Sequence, residues 1–175
     1  MKKLFIVLLA SSNLAFAATQ INANATVDIG FSPKDGSEQL VIKAINSAQK
    51  SIHIAAYSFT SKPIAQALYI AYKKGVAVKV VADQKSNSGH YTATTYLANH
   101  GVPVKLDGNY TIFHNKFMII DGKTIETGSF NYSAAAAHKN AENVLVLWNV
   151  PQIAQRYEEQ WDSYWQEATT LAAKY

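Results

Sequence analysis

The 175-residue chain has no cysteine. That absence excludes disulfides, thiolate metal sites and a cysteine nucleophile. Proline is scarce, with four residues, and no repeat, low-complexity tract or Pro/Gly/Ser linker divides the sequence. Charged residues are 16% and hydrophobic residues 49%, a globular composition at single-domain length. The longest early apolar run, Leu4 to Ala10, stops at Ser11-Ser12-Asn13. It falls short of the ~20 apolar residues that a membrane-spanning helix needs. Preceded by Met1-Lys2-Lys3 and followed by Ala15-Phe16-Ala17, it reads as a secretory signal cut after Ala17. The expected organisation is therefore a signal peptide over 1–17 and one mature domain over 18–175, periplasmic or secreted, with no stable membrane association after cleavage. Its 158 residues are enough for a well-buried core.

What is present is unevenly distributed. From Ala18 to Lys139 there are 12 basic and 7 acidic residues; from Asn140 onward there are 2 and 5. A basic body suits a polyanionic partner, although the same charges fit an ordinary soluble surface. Apolar periodicity predicts strands at Val27–Phe31, Ile52–Tyr57, Val76–Ala82 and Val102–Leu106. Helices are expected near Leu40–Ala48, from Ser61 to Gly75 and from about Tyr91 to His100. This alternation predicts an α/β fold on a largely parallel sheet. The second half changes rhythm, with strands at Phe117–Ile120, Thr124–Thr127 and Asn143–Trp148. A last helix starts at Pro151 and carries Ile153, Tyr157, Trp161 and Trp165 as core residues. The sheet is thus expected to be mixed, with helices on its faces.

Asp121-Gly122 between two apolar runs signals a tight hairpin. If these two residues form the whole turn, Ile120 pairs with Lys123, Lys116 falls opposite Thr127 and His114 opposite Ser129. Side chains alternate with period two, so His114, Lys116, Ser129 and Asn131 would share one face near the open end. Met118 and Ile125 would continue that face into the core, with Phe117 and Ile119 on the other. Imidazole can act as nucleophile or general acid/base near neutral pH, and Lys116 supplies positive charge. Ser129 and Asn131 add neutral donors, and Gly128 permits close backbone approach. Such a set makes a cradle for a reacting phosphate.

The run from His114 to Asn131 resembles the phospholipase D superfamily motif, H-x-K-x4-D-x6-G-S-x-N, and matches it at every specified position. The likeness extends to Ala55–Thr60 and Asn140–Asn143. It is nearest to the small exported bacterial endonucleases of that superfamily, which resist EDTA and carry one motif per chain. The resemblance implies a phospholipase D-like fold with one domain per chain. It makes His114 the catalytic histidine and Lys116, Ser129 and Asn131 phosphate contacts. Asp121 belongs to the motif, and the hairpin reading gives it a structural role in the turn. Glu142 matches an acidic position of the nuclease relatives. It can hold the far nitrogen of His114, or sit as an ordinary strand-start carboxylate. One histidine cannot both attack phosphorus and protonate the leaving oxygen from the opposite side. A single-motif chain is therefore expected to act as a two-fold homodimer, with a phosphohistidine intermediate and neither metal nor cofactor.

The remaining histidines read differently. His53 lies on an apolar strand as a satisfied core or boundary residue, and His100 suits a helix end. His90 and His138 fall in polar loops, where one of them is an alternative second catalytic group. Ser86 to Tyr91 reads as a flexible rim loop from which Lys85 or Tyr91 can touch nucleic acid. The expected activity is low-specificity, metal-independent cleavage of DNA, and of RNA as a further substrate. The alternatives are a phospholipase D acting on lipid head groups and a non-catalytic nucleic-acid-binding or uptake protein.

Overall fold

The computed structural model describes residues 19–89 and 92–173, so the expected signal segment, His90 and Tyr91 lie outside the described residues. Each element follows from a local cause. Thr26–Ser32 (β1) leads to helix α1, Ser37–Asn46, which buries Val41, Ala44 and Ile45. β2, Ser51–Ala56, is followed by α2, Lys62–Lys73. The Ser61 side chain caps α2 by accepting from the Ile64 amide, and Gly75 stops the turn beyond it at φ 91°. β3, Ala77–Asp83, runs into a single turn, α3 (Gln84–Asn87), then α4 (Ala93–Asn99) and β4 (Val104–Asp107). β5 (Lys116–Ile120) and β6 (Thr124–Gly128) form the hairpin, followed by α5 (Ala134–His138) and β7 (Glu142–Trp148). Helix α6, Pro151–Glu167, and a two-residue β8, Thr169–Thr170, complete the described chain.

These strands make one open eight-stranded sheet in the order β1-β7-β6-β5-β2-β3-β4-β8. β2, β3 and β4 are parallel, and every other neighbouring pair is antiparallel. The expected mixed α/β sheet, one domain per chain, is what forms, but it is not largely parallel: five of its seven strand pairings are antiparallel, because the hairpin and the strands beside it fill one half of the sheet. Alternation divides the core between its two faces. Val78, Val80, Ala82, Met118 and Ile120 pack under α1, α2 and α4, whereas Val81, Phe117, Ile119 and Ile125 pack under α6 with the wholly buried Trp161. The Trp161 indole N–H donates to the Ile54 carbonyl at 2.9 Å. His53 stacks on Trp161 at 4.2 Å and pairs with Glu158 at 2.7 Å, as befits a satisfied boundary histidine.

The hairpin register differs from the expected one. Asp121 (φ 53°) and Gly122 (φ 62°) do make the turn, and the Lys123 amide returns to the Ile120 carbonyl at 3.1 Å. The Lys123 carbonyl, however, accepts from the Val150 amide at 2.7 Å instead of closing the ladder. Lys123 therefore bulges, and the ladder starts at Ile120–Thr124 and runs to Phe117–Thr127. The one-residue shift moves every β6 side chain to the opposite face. Ile125 goes to the α6 side, and Glu126 becomes the neighbour of Met118. The segment expected as a flexible rim also differs: Asn87 is fully buried at the end of α3. Helices α3 and α5 and strand β8 were not anticipated. Each is short enough that caps and pairing partners, not periodicity, decide it.

Candidate active site

The carboxyl ends of β2, β3 and β6 and the amino ends of β5 and β7 meet along one edge of the sheet. Buried polar groups fix the loops there. Asn87 accepts the Phe59 amide at 3.1 Å and donates to the Tyr57 and Asp83 carbonyls. Asp83 accepts the Ser86 amide at 2.8 Å and the Phe113 amide at 2.9 Å, clamping the residue before His114. Burial alone would raise the Asp83 carboxyl pKa, but the Phe113 and Ser86 hydrogen bonds and Lys85 hold it below the usual range.

The His114 ring is exposed and lies 4.6 Å from the Tyr57 ring, tilted by 55°. Lys116 is 9% exposed; its Nζ donates to the His114 carbonyl at 2.8 Å and sits 5.3 Å from the Tyr57 ring centroid. Burial lowers the Lys116 pKa, and the Glu142 charge opposes that shift. The Ser129 hydroxyl donates to Glu142 Oε2 at 2.6 Å and accepts from the Asn143 amide at 3.1 Å. Asn140 Nδ2 donates to Glu142 Oε1 at 2.9 Å. Both Glu142 oxygens are thus engaged by Ser129 and Asn140. No hydrogen bond joins Glu142 to His114 among the described residues, contrary to one reading of the sequence. Ser129 can donate to a phosphate only by exchanging Glu142 for the phosphate oxygen. Asn131 leaves its Oδ1 buried and without a partner.

Lys116, Ser129 and His114 therefore converge through strand ends and loops and not through a shared hairpin face. Asp121 lies in the turn. Its carboxylate accepts the amides of Gln49, Lys50 and Ser51 at 2.7–3.2 Å. Burial raises its pKa, yet these amides and Lys123 outweigh that and leave it below the ordinary carboxylate range. His138 ends α5, and His100 ends α4 with Nδ1 donating to the Tyr96 carbonyl at 2.8 Å. Gly128 has no room for a side chain, because a Cβ there would overlap the Asn143 carbonyl oxygen.

A pocket of about 440 Å³ opens beside His114, lined by Lys116, Thr127 and Gly128 and, from α6, Arg156 and Gln160. Arg156 is the sole arginine of the chain and sits against Glu159 at 3.2 Å. Sequence reasoning passed over it and Gln160. The signal was there: both lie on the polar flank of an amphipathic helix, one turn apart. Also missed was Glu126, 1% exposed, whose Oε2 accepts the Tyr132 hydroxyl at 2.7 Å. Among the described residues, no three His, Asp or Glu side chains form a metal-holding group.

A phosphate seated against His114 would meet Lys116 and Arg156 as cations and the Gly128–Ser129 segment as donors. A nucleophilic nitrogen in that setting is equipped for phosphoryl chemistry. The chain matches the family described as "Cardiolipin synthase, PLD-like domain" over residues 41–165. It is 32% identical over 164 residues to the phospholipase D of Rickettsia conorii, covering 90% of this chain and 82% of that protein. Among solved structures, it resembles Nuc of Salmonella typhimurium, a phospholipase D family member, with TM-score 0.83 and 42% identity over 85% of this chain and 99% of that one. NucT from Helicobacter pylori follows with TM-score 0.77 and 26% identity, covering 84% of this chain and 99% of that one. With the motif seated on the same fold, this chain belongs to the phospholipase D superfamily and is a phosphodiesterase of that family.

Proposed function

We propose that the protein is an exported, metal-independent endonuclease of low sequence specificity, working as a two-fold homodimer. The observation that carries this reading is the exposed His114 beside a pocket lined by Lys116 and Arg156, with the neighbouring Glu142 already engaged by Ser129 and Asn140. His114 attacks phosphorus, the bond to the leaving oxygen breaks, and the partner subunit's His114 gives that oxygen a proton. Water, deprotonated by the partner subunit's His114, then releases the phosphohistidine. Lys116 and Arg156 balance charge on the non-bridging oxygens; Ser129 and Asn131 orient them.

The second copy has a face to occupy. On edge strand β1, Val27, Ile29 and Phe31 alternate on the α6 side of the sheet at 48%, 58% and 54% exposure. Phe31 pairs with Asn143 and Ser32 with Glu142, so this apolar strip abuts the Ser129–Glu142 cluster. A two-fold contact there would bring two such clusters together. The likeness to Nuc and NucT favours nucleic acid as substrate. The test is plasmid nicking in excess EDTA by the wild type and His114→Ala. Cleavage by the first alone supports the reading. Cleavage that needs added magnesium refutes the phosphohistidine route.

A second reading is hydrolysis of phospholipid head groups by the same centre, favoured by the rickettsial phospholipase D. Release of choline from phosphatidylcholine vesicles, with DNA left intact, would establish it. Among the described residues no helix is long and apolar enough to cross a membrane. Export through residues 1–17 is checked by N-terminal sequencing of the mature protein.

A further inference from the structure

A second cleft, of about 570 Å³, lies on the opposite face of the sheet from α6, between α2 and α4. Its volume is that of a small-molecule site. The lining includes Thr60, Lys62, Gln66, Thr92, Tyr96 and His100. Tyr96 is 37% exposed, and its ring is buttressed by those of His100 at 4.2 Å and Tyr69 at 6.0 Å. His100 is itself fixed, since donation from its Nδ1 to the Tyr96 carbonyl leaves Nε2 as the acceptor of the neutral ring. The exposed side chains of Thr60, Lys62 and Gln66 make no hydrogen bond to other described residues.

The cleft is wired to the catalytic edge. The amides of Thr60 and Ser61 both donate to the Tyr132 carbonyl at 2.8 Å, one residue beyond Asn131. The Ala93 amide, at the start of α4, donates to the Phe59 carbonyl at 3.0 Å. Thr60 is three residues from Tyr57, whose ring meets His114. Three residues span at most ~11 Å of chain, a reach of one or two nucleotides.

We propose that this cleft holds a nucleobase of a single-stranded substrate, one or two nucleotides from the phosphodiester at His114. The base stacks on Tyr96, Gln66 and Thr60 meet its polar edge, and Lys62 faces the adjoining phosphate. A flat ring with a varied polar rim fits an aromatic floor bordered by an amide, a hydroxyl and a cation. An acyl chain would leave those groups unpaired. The inference rests on the nucleic-acid reading and extends it to a substrate subsite.

The experiment uses single-stranded oligodeoxynucleotides in which one linkage is an ordinary phosphodiester and the others are phosphorothioates. Abasic sites are moved one position at a time through the flanking nucleotides. With wild-type protein, one flanking position should lower kcat/KM about tenfold when abasic, from the loss of one stacked base. Tyr96→Ala should lower kcat/KM on the intact oligonucleotide by a similar factor and erase the abasic penalty. Gln66→Trp, an exposed position that would fill the cleft, should do the same. Penalties that persist in both variants, or an abasic scan that is flat in wild type, overturn the subsite. Wild-type protein that cuts no nucleic acid but releases choline from phosphatidylcholine vesicles removes the nuclease reading itself, and the subsite with it.

Discussion

Glu126→Gln should stabilise the protein, by an amount that grows with pH. Glu126 is on β6, 1% exposed, among Met118, Tyr132 and the apolar face under α1 and α2. Burial drives its pKa from 4.5 to about 8, against the opposing hydrogen bond from Tyr132. In the folded protein the carboxyl is therefore neutral below about pH 8, whereas in the unfolded chain it ionises near 4.5. Between these values the unfolded state has lost a proton that the folded state keeps. Each pH unit in this window therefore costs about 1.4 kcal/mol of folding stability. Across the whole window the cost approaches about 5 kcal/mol, comparable to the entire stability of a small domain. Glutamine keeps an oxygen for the Tyr132 hydroxyl and never ionises. Urea unfolding of both proteins at pH 5, 6, 7, 8 and 9 measures the difference. It should climb by about 1.4 kcal/mol per unit up to pH 8 and then level off. A difference independent of pH would refute the argument, because it would mean that Glu126 is either ionised in the fold or not buried.

Other consequences are simpler to state. Asp121→Ala strips an acceptor from three backbone amides and should cost about 2–4 kcal/mol in chemical denaturation while leaving the His114 chemistry in place. Because the folded Asp121 pKa is depressed, its contribution should be present above pH 3.8 and fade as acid takes the pH through the lower folded value. Gly128→Ala forces a Cβ against the Asn143 carbonyl, so the melting temperature should drop and nicking should fall together with the β6–β7 pairing. Ile29→Glu on the exposed strip should shift sedimentation from dimer to monomer and abolish nicking; a monomer that still nicks would refute the two-histidine scheme. Arg156→Ala should weaken substrate binding and flatten its salt dependence, read as a lower slope of log affinity against log salt.

The strand–helix alternation was legible because each parallel strand is buried on both faces and each long helix on one. Apolar period alone distinguishes them. The hairpin shows the limit. Asp121 and Gly122 adopt the positive φ values their residue types suggest, so the local chemistry was read correctly. The register then turned on Val150, 27 residues downstream, which takes the Lys123 carbonyl. No local pattern announces that bond. For the same reason the motif marked His114, Lys116 and Ser129 while their mutual placement escaped it. Their neighbour Tyr57 arrives from just beyond β2, where Asn87 of α3 holds its carbonyl by tertiary contact. Glu142 was legible as an acid at the site, but its partners, Ser129 and Asn140, depend on how the β6 end meets β7.

Four acidic residues, at the catalytic edge and along the strands that lead to it, explain how a phosphate site can form on a chain of modest net charge. Asp83 holds the Phe113 amide, one residue before His114, and Asp121 holds the three amides that open β2, at whose far end Tyr57 stands. Glu126, kept neutral, holds Tyr132, one residue after Asn131, and Glu142 holds Ser129. Each carboxyl secures a segment that carries or leads to a site residue, and those of Asp83, Asp121 and Glu142 have both oxygens already filled by protein donors. A carboxylate saturated in this way repels an incoming phosphate less than a free one, since amide and hydroxyl dipoles already oppose its charge. Lys116 and Arg156 can then dominate the field over His114. The site is cationic because its acids are occupied in holding it together.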